Sequence, residues 1–293
     1  MHGEIRGDQE RRRKGKLYVV ATPIGNLADI TLRAVEVLRT VDTVFAEDTR
    51  DARRLLAHHG IRTRLAALHE HNERVVARAI QRLLAQGRDV ALVADAGTPG
   101  ISDPGAIAVA EARAAGFEAV AIPGPNAAVA ALSIAGLPPG PFAFAGFLPP
   151  RRAARRKALE VWCAFPHALV FYEAPHRIVE CVDDLATVLG ADRTAVIARE
   201  LTKVFETVHV LPLGDARAWL EADPNRQRGE FVVIVSGARE APEGQAAEGE
   251  RVLKELLEEL PVKTAVRLAS TISGAPRNAL YDLALRLQKK VHG

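Results

Sequence analysis

The sequence predicts an α/β fold: two α/β domains followed by a small helical module. Three observations predict it. The first half alternates short apolar, β-branched runs with stretches of helical periodicity. The second half continues with strand-like runs of its own, separated by amphipathic helical stretches. Residues 251–293 contain only helical patterns, punctuated by Pro261 and Gly274. At 293 residues the chain is about two ordinary domains long.

Residues 1–15 read as a flexible basic tail. The first strand is expected at 17–21, followed by a helix over 29–40 with Ile30, Ala34, Val37 and Leu38 on one face. A second strand follows at 43–47. Asn72 is placed to cap a helix that turns Val76, Ile80, Leu83 and Leu84 inward and stops at Gly87. Further strands fall at 90–94 and 118–122. Such alternation implies a mainly parallel sheet with right-handed crossovers. The N-terminal domain then spans 16–125, with the boundary inside the Pro/Gly-rich stretch 123–141. The second domain, 126–239, is expected to hold a mixed sheet with strands at 142–147, 168–173, 194–199, 207–211 and 231–235, and helices at 153–164 and 176–189. Residues 240–250 read as a linker, without an aromatic or β-branched side chain. Helices are expected at 251–260, 263–273 and 275–289, with a helix-turn-helix-like turn at Gly274.

Composition excludes several classes. With 48% hydrophobic and 26% charged residues the chain can bury a core and is not a disordered protein. Its two cysteines, Cys163 and Cys181, form neither a disulfide framework nor a metal motif, and suit a reducing compartment. No metal site is expected. The uncharged stretch 119–148 is broken by prolines and glycines, so it is not read as a membrane span, and a cytoplasmic protein is expected. The net charge of +3 says little. Its distribution says more: beyond Pro261 six basic residues, among them Lys263, Arg267, Arg277, Lys289 and Lys290, stand against one acid, Asp282. That is the footprint of a nucleic-acid contact, or of a tail packed on the body or a partner.

Open parallel sheets bind ligands at the carboxyl ends of their strands. The glycine-bearing and polar loops fall there: Thr22-Pro-Ile-Gly-Asn-Leu27, Glu47-Asp-Thr-Arg50, Asp95-Ala-Gly-Thr-Pro-Gly-Ile-Ser-Asp-Pro-Gly105 and Pro123-Gly-Pro-Asn-Ala127. Neither a dinucleotide-binding GxGxxG nor a phosphate-loop motif is present. Glu47, Asp48 and Arg50 read equally as a local ion pair with a helix cap. Two further strand ends are charged, at Phe171-Tyr-Glu-Ala-Pro-His-Arg177 and Ala198-Arg-Glu-Leu-Thr-Lys203. Arg151, Arg152, Arg155, Arg156 and Lys157 put five positive charges in nine residues, as a solvated helix start or a phosphate-binding loop.

Taken in order, these motifs resemble the ribosomal RNA small subunit methyltransferase I family, of the tetrapyrrole methylase fold class. The resemblance covers the chain from about residue 16 to its end, outside the tail and linker. It implies a cofactor cleft between the two α/β domains, S-adenosylmethionine as methyl donor, and 2′-O-methylation of a cytidine ribose (cytidine 1402) in the decoding region of 16S rRNA on the small subunit. It also implies a homodimer and an RNA-binding C-terminal module. By motif, the donor would meet Ile24, Gly25, Ala96, Gly97, Thr98, Ile101, Asn126 and Ala127, with Leu201, Glu173 and Glu230 from the second domain. Porphyrin and corrin methylases usually carry a Gly-x-Gly-Pro-Gly first loop, where this chain reads Ala21-Thr-Pro-Ile-Gly25. That departure weighs against a tetrapyrrole substrate.

A ribose hydroxyl is a weak acid, so a nearby base would assist its methylation. Glu173, Glu200 and His176 are the candidates. Arg50, Arg177, Arg199 and Lys203 are candidates for RNA phosphates, beside Arg151, Arg152, Arg155 and Arg156 and the C-terminal Lys263, Arg267 and Arg277. A small-molecule, tetrapyrrole-like methyltransferase is the competing expectation; it explains the strand-end loops and leaves the basic module unexplained.

Overall fold

The computed structural model describes residues 13–69, 71–238 and 242–291, so the expected tail is seen only at its end, and Lys289 and Lys290 have side chains outside the described set. Arg13 pairs with Asp89 at 2.6 Å, and the Gly15 amide donates to the Leu84 carbonyl, so residues 13–15 are tied to the body.

The chain forms two compact units, the first holding 13–163 and 167–236. Its N-terminal part runs β1 (Lys16–Val20), α1 (Leu32–Thr40), β2 (Thr43–Ala46), α2 (Thr49–His58), β3 (Arg64–Ala67), α3 (Glu73–Ala85), β4 (Val90–Val93), α4 (Ala106–Ala114) and β5 (Glu118–Ile122). The five strands are all parallel, in the order β3-β2-β4-β1-β5. Strand residues alternate between two cores. Val20, Val44, Ala46, Ala91 and Val93 pack with Ala34, Leu38, Ala52 and Leu56 of α1 and α2. Leu17, Phe45, Val90 and Leu92 pack with Ala77, Ile80, Leu84, Ala108 and Ala112 of α3 and α4. Helices on both faces are why these strands read as unbroken apolar runs. Each fully buried Val or Leu contributes about 1.5–3 kcal/mol.

The expected helix over 29–40 is split. A 3₁₀ turn at Leu27–Asp29 comes first, and Thr31 then caps α1 by accepting from the Ala34 amide. Asn72 occupies the cap position of α3, but its side chain accepts from the His69 amide and so closes the preceding turn. The competition is local: a side chain at a turn–helix junction reaches backbone on either side.

α5 (Ala127–Ile134) follows β5 and lies against the second sheet: Ala128 and Ala131 share a core with Val170, Val196, Ala198, Val232 and Ile234. The remaining elements are β6 (Phe142–Phe147), α6 (Arg152–Glu160), β7 (Ala168–Glu173), α7 (Ile178–Leu189), β8 (Thr194–Arg199), β9 (Thr207–Pro212), α8 (Ala216–Glu221) and β10 (Phe231–Val235). The sheet is mixed, in the order β6-β7-β10-β8-β9, with only the β6–β7 pair parallel. The ladder slips between Phe144 and Gly146 of β6, where Gly146 has φ +64°. Such a bulge re-aims the side chains beyond it. Phe144 and Phe147 both meet the Tyr172 ring edge-on, at 4.9 and 5.6 Å between centroids.

The second compact unit contains α9 (Pro242–Glu259), α10 (Val262–Ser273) and α11 (Arg277–Val291) around Leu253, Ala265, Val266, Ala269, Leu280 and Ala284. The helix occupies most of the stretch expected as a linker. Ala, Glu and Gln favour helix as readily as a solvated coil, and Pro242 stands where a first turn tolerates proline. Gly274 ends α10 in the left-handed conformation, φ +73°, producing the expected turn.

Candidate active site

Three loops leave the first sheet side by side, because β4 and β5 flank β1. They are bonded to one another. The Thr22 amide donates to the Gly97 carbonyl at 2.9 Å and the Gly97 amide to the Thr22 carbonyl at 3.1 Å. The Thr98 hydroxyl donates to the Pro125 carbonyl at 3.1 Å. Gly97 takes φ +80°, which a side chain would resist. At Gly124 a Cβ would lie 2.9 Å from that of Ala21.

These loops and the ends of β7, β8 and β10 enclose a cavity of about 330 Å³. Its wall includes Ile24, Ala96, Gly97, Thr98, Ile101, Asn126, Ala127, Leu201, Glu173 and Glu230, ten of the eleven residues that the resemblance assigns to the donor. Gly25 is not in the wall. It lies under the 200–206 loop, where a Cβ would come within 2.5 Å of Lys203 Cγ. The sequence reading did not assign Ser102, Asp103, Phe147, Tyr172, Ala174, Pro175, Ala198, Phe231 and Val232, which complete the lining. Phe147 and Tyr172 were signalled only as aromatics at strand ends. Tyr172 also ties α5 to the site, its hydroxyl accepting from the Ala128 amide at 3.2 Å. Burial raises the Tyr172 pKa, against that hydrogen bond.

Three carboxylates stand in the wall, and no Lys or Arg does among the described residues. Glu173 has a fully buried side chain. Its Oε1 accepts from Arg177 Nε at 2.7 Å and from the Ala174 amide at 2.8 Å, while Oε2 is buried without a hydrogen-bond partner. Burial, with Glu173 alongside, pushes the Cys181 thiol up, so it stays protonated. Glu230 pairs with Lys203 at 2.8 Å. Asp103 has neither ion pair nor hydrogen bond among the described residues, and burial together with the charge of Asp95 raises it to about 6. A lining that is apolar for most of its area and carries one carboxylate, Asp103, without a cation among the described residues suits a ligand with an apolar body and a cationic centre.

The other proposed catalytic residues are elsewhere. Glu200 accepts from Lys203 Nζ at 2.8 Å and the Glu230 amide at 2.9 Å, in a backbone of φ +53°. Burial raises its pKa, but the Lys203 and Glu230 hydrogen bonds outweigh it and the net shift is down. It anchors the 200–206 loop and does not line the cavity. His176 opens on a separate hollow with Val179, Glu180, Arg217 and Gln227.

Most of the expected phosphate ligands are likewise committed. Arg177 holds Glu173, and Lys203 holds Glu200 and Glu230. Arg199 donates to the carbonyls of Arg228 and Phe205. Arg50 is 85% exposed but forks onto Asp48, which caps α2. The Arg50 hydrogen bonds hold Asp48 at about 2. Arg152, Arg155 and Arg156 all bind one carboxylate, Asp184 of α7, at 3.0, 2.7 and 2.6 Å. Arg155 and Asp184 are both fully buried. These three form a helix–helix clamp, and only Arg151 and Lys157 of that run lack an ion pair among the described residues. Lys263, Arg267 and Arg277 are exposed, with no ion pair among the described residues.

Residues 16–217 match the sequence model for Tetrapyrrole (Corrin/Porphyrin) Methylases, and residues 243–288 that for an RsmI C-terminal HTH domain. Proteins named ribosomal RNA small subunit methyltransferase I align along nearly the whole chain. One from Pseudomonas aeruginosa is 53% identical, covering 94% of this chain and 99% of that protein. One from Escherichia coli O157:H7 is 50% identical, covering 94% and 96%. The chain belongs to the ribosomal RNA small subunit methyltransferase I family of tetrapyrrole methylases. Solved structures show the same fold at lower identity. Uroporphyrin-III C-methyltransferase from Thermus thermophilus superposes with a TM-score of 0.56 at 22% identity, over 76% of this chain and 94% of that one. Diphthine synthase gives 0.58 at 20% identity, over 76% and 90%. Among the described residues no cluster is placed to hold a metal, and no helix is long and apolar enough to cross a membrane.

Proposed function

We propose that this protein is a cytoplasmic, homodimeric methyltransferase that uses S-adenosylmethionine to methylate 16S rRNA in the small ribosomal subunit, at the 2′-hydroxyl of a cytidine ribose, cytidine 1402 of the decoding region. The observation that carries this reading is the cavity: a largely apolar wall with three carboxylates and, among the described residues, no lining cation, built from strand-end loops. The names of the family's members and the helix-turn-helix match support the RNA substrate. A Thermus thermophilus uroporphyrin-III C-methyltransferase of this fold is complexed with S-adenosyl homocysteine.

Bound in the cavity, S-adenosylmethionine supplies a methyl group already activated by a sulfonium. What remains for the protein is alignment, exclusion of water and handling of the hydroxyl proton. Ile24, Ile101, Leu201, Phe231 and Val232 are the apolar wall that excludes water. The loop carrying Gly97, in its left-handed conformation, is held to the neighbouring loop by the Thr98 hydroxyl, which donates to the Pro125 carbonyl. Glu173 Oε1 is held by Arg177, leaving Oε2 to accept from a ligand. Exposed Lys263, Arg267 and Arg277 meet RNA phosphates.

Transfer of labelled methyl to purified small ribosomal subunits tests the reading. Label in the RNA is expected. Transfer to precursor corrinoids with none to subunits would replace it with the tetrapyrrole alternative.

A further inference from the structure

We propose that Asp103 is the catalytic base that receives the proton of the attacking hydroxyl. The inference rests on the ribose-methylation reading and assigns a residue to its chemical step.

Asp103 lies on the 95–105 loop, between Ser102 and the turn that opens α4, and is in the cavity wall with Thr98, Ile101, Phe147 and Tyr172. A base must reach the cavity, and this removes Glu200 and His176. Three carboxylates remain, and they differ in what faces them. Glu173 is tied to Arg177 and Glu230 to Lys203, so each already accepts from a cationic side chain. Asp103 has no cationic partner among the described residues. The charged group acting on it is itself acidic: Asp95, whose carboxylate accepts from the Asp48 amide. Half-burial and the Asp95 charge both increase its affinity for a proton, to about 6. A base in that range accepts a proton near neutrality without being already protonated there.

The step balances. The ribose O–H bond breaks and its proton goes to the Asp103 carboxylate. The oxygen pair forms the new bond to the methyl carbon, and the carbon–sulfur bond breaks with its pair left on sulfur. The carboxylate then returns the proton to solvent through the open cavity mouth, where Ile101 is half exposed.

Single-turnover transfer to small ribosomal subunits, followed between about pH 5 and 8, tests this alongside calorimetric binding of S-adenosylmethionine. The wild-type rate should climb to a plateau with a midpoint at or below about 6, since a bound sulfonium draws the value down. Asp103→Asn should slow transfer about 10²–10⁴-fold and remove the pH limb, with donor affinity held within about threefold. Asp103→Glu should recover part of both rate and limb. Asp103→Asn turning over within about tenfold of wild type, with the limb intact, would overturn the assignment. So would a donor affinity lowered about tenfold or more, which would make Asp103 a ligand of the donor's cation. If the Asn variant does not fold, a flat wild-type profile overturns it equally. The position of the label keeps the two readings apart: methyl on a base would strike the ribose reading itself.

Discussion

The start of α6 and the C-terminal helices are both rich in positive charge, and the molecule uses that charge in opposite ways. On α6, Arg152, Arg155 and Arg156 converge on one buried acid from the neighbouring helix, so the charge is spent on packing. On α10 and α11, Lys263, Arg267 and Arg277 are exposed and without ion pairs among the described residues. A count of charges along the chain does not separate the two cases. What separates them is whether an acid is buried within reach. Three guanidinium groups around Asp184 are an internal structure whose removal is felt in stability, whereas unpaired surface cations are felt in salt-dependent binding.

The largest effect is expected of Asp184→Ala. It leaves the buried Arg155 with only the exposed Glu180, at 3.5 Å, as a carboxylate partner among the described residues, and should cost about 3–5 kcal/mol in urea unfolding. A loss no larger than that of a surface substitution would return α6 to the solvated-face reading. The pH dependence has a definite sign. Burial raises the Asp184 pKa, but the hydrogen bonds from Arg156, Arg155 and Arg152 outweigh it and the folded value is lowered. Its stabilisation is therefore present above the unfolded value and lost as pH falls through the folded one. The stability gap between wild type and Asp184→Asn should narrow as pH drops below about 4.

The opposite behaviour is expected of Lys263→Ala, Arg267→Ala and Arg277→Ala combined. Stability should move by no more than about 0.5 kcal/mol per site. Binding to small-subunit RNA should weaken, and the slope of log affinity against log salt should fall by about 0.7–0.9 for each phosphate contact removed. An unchanged slope would show that this charge also serves packing. The smallest effect is expected from Arg156→Gln, which removes a part-exposed member of the clamp. It should cost about 0.2–1 kcal/mol and leave RNA binding and its salt slope alone.

The same contrast explains what was legible in the sequence. The strands of the first sheet were, because helices cover both faces and leave unbroken apolar runs such as 90–93. Ile24, Ala96, Gly97, Thr98, Ile101, Asn126 and Ala127 of the wall were, because a parallel sheet delivers its loops to one edge. Phe147 was not, since a one-residue bulge at Gly146 turns it toward Tyr172, and its spacing alone would place it on the other face. Asp103 was visible within a motif, but its lack of a cation is a property of the folded cavity. Arg152, Arg155 and Arg156 stand at the i, i+3, i+4 spacing of one helix face, which is the same whether that face meets water or a buried aspartate. Asp184, about thirty residues on, supplies the answer only once α6 and α7 have packed. For 242–250 the composition allowed both coil and helix, and packing against the rest of its unit decided: a Cβ at Gly249 would fall 2.7 Å from that of Ala275.

The atom that receives the methyl group decides between ribose and base methylation, and alkaline hydrolysis of the labelled RNA identifies it. Hydrolysis needs a free 2′-hydroxyl, so ribose methylation blocks cleavage at the adjacent phosphate. Label from wild-type reactions on small subunits should appear in alkali-stable dinucleotides that begin with cytidine. Label in mononucleotides would place the methyl on a base and contradict the account.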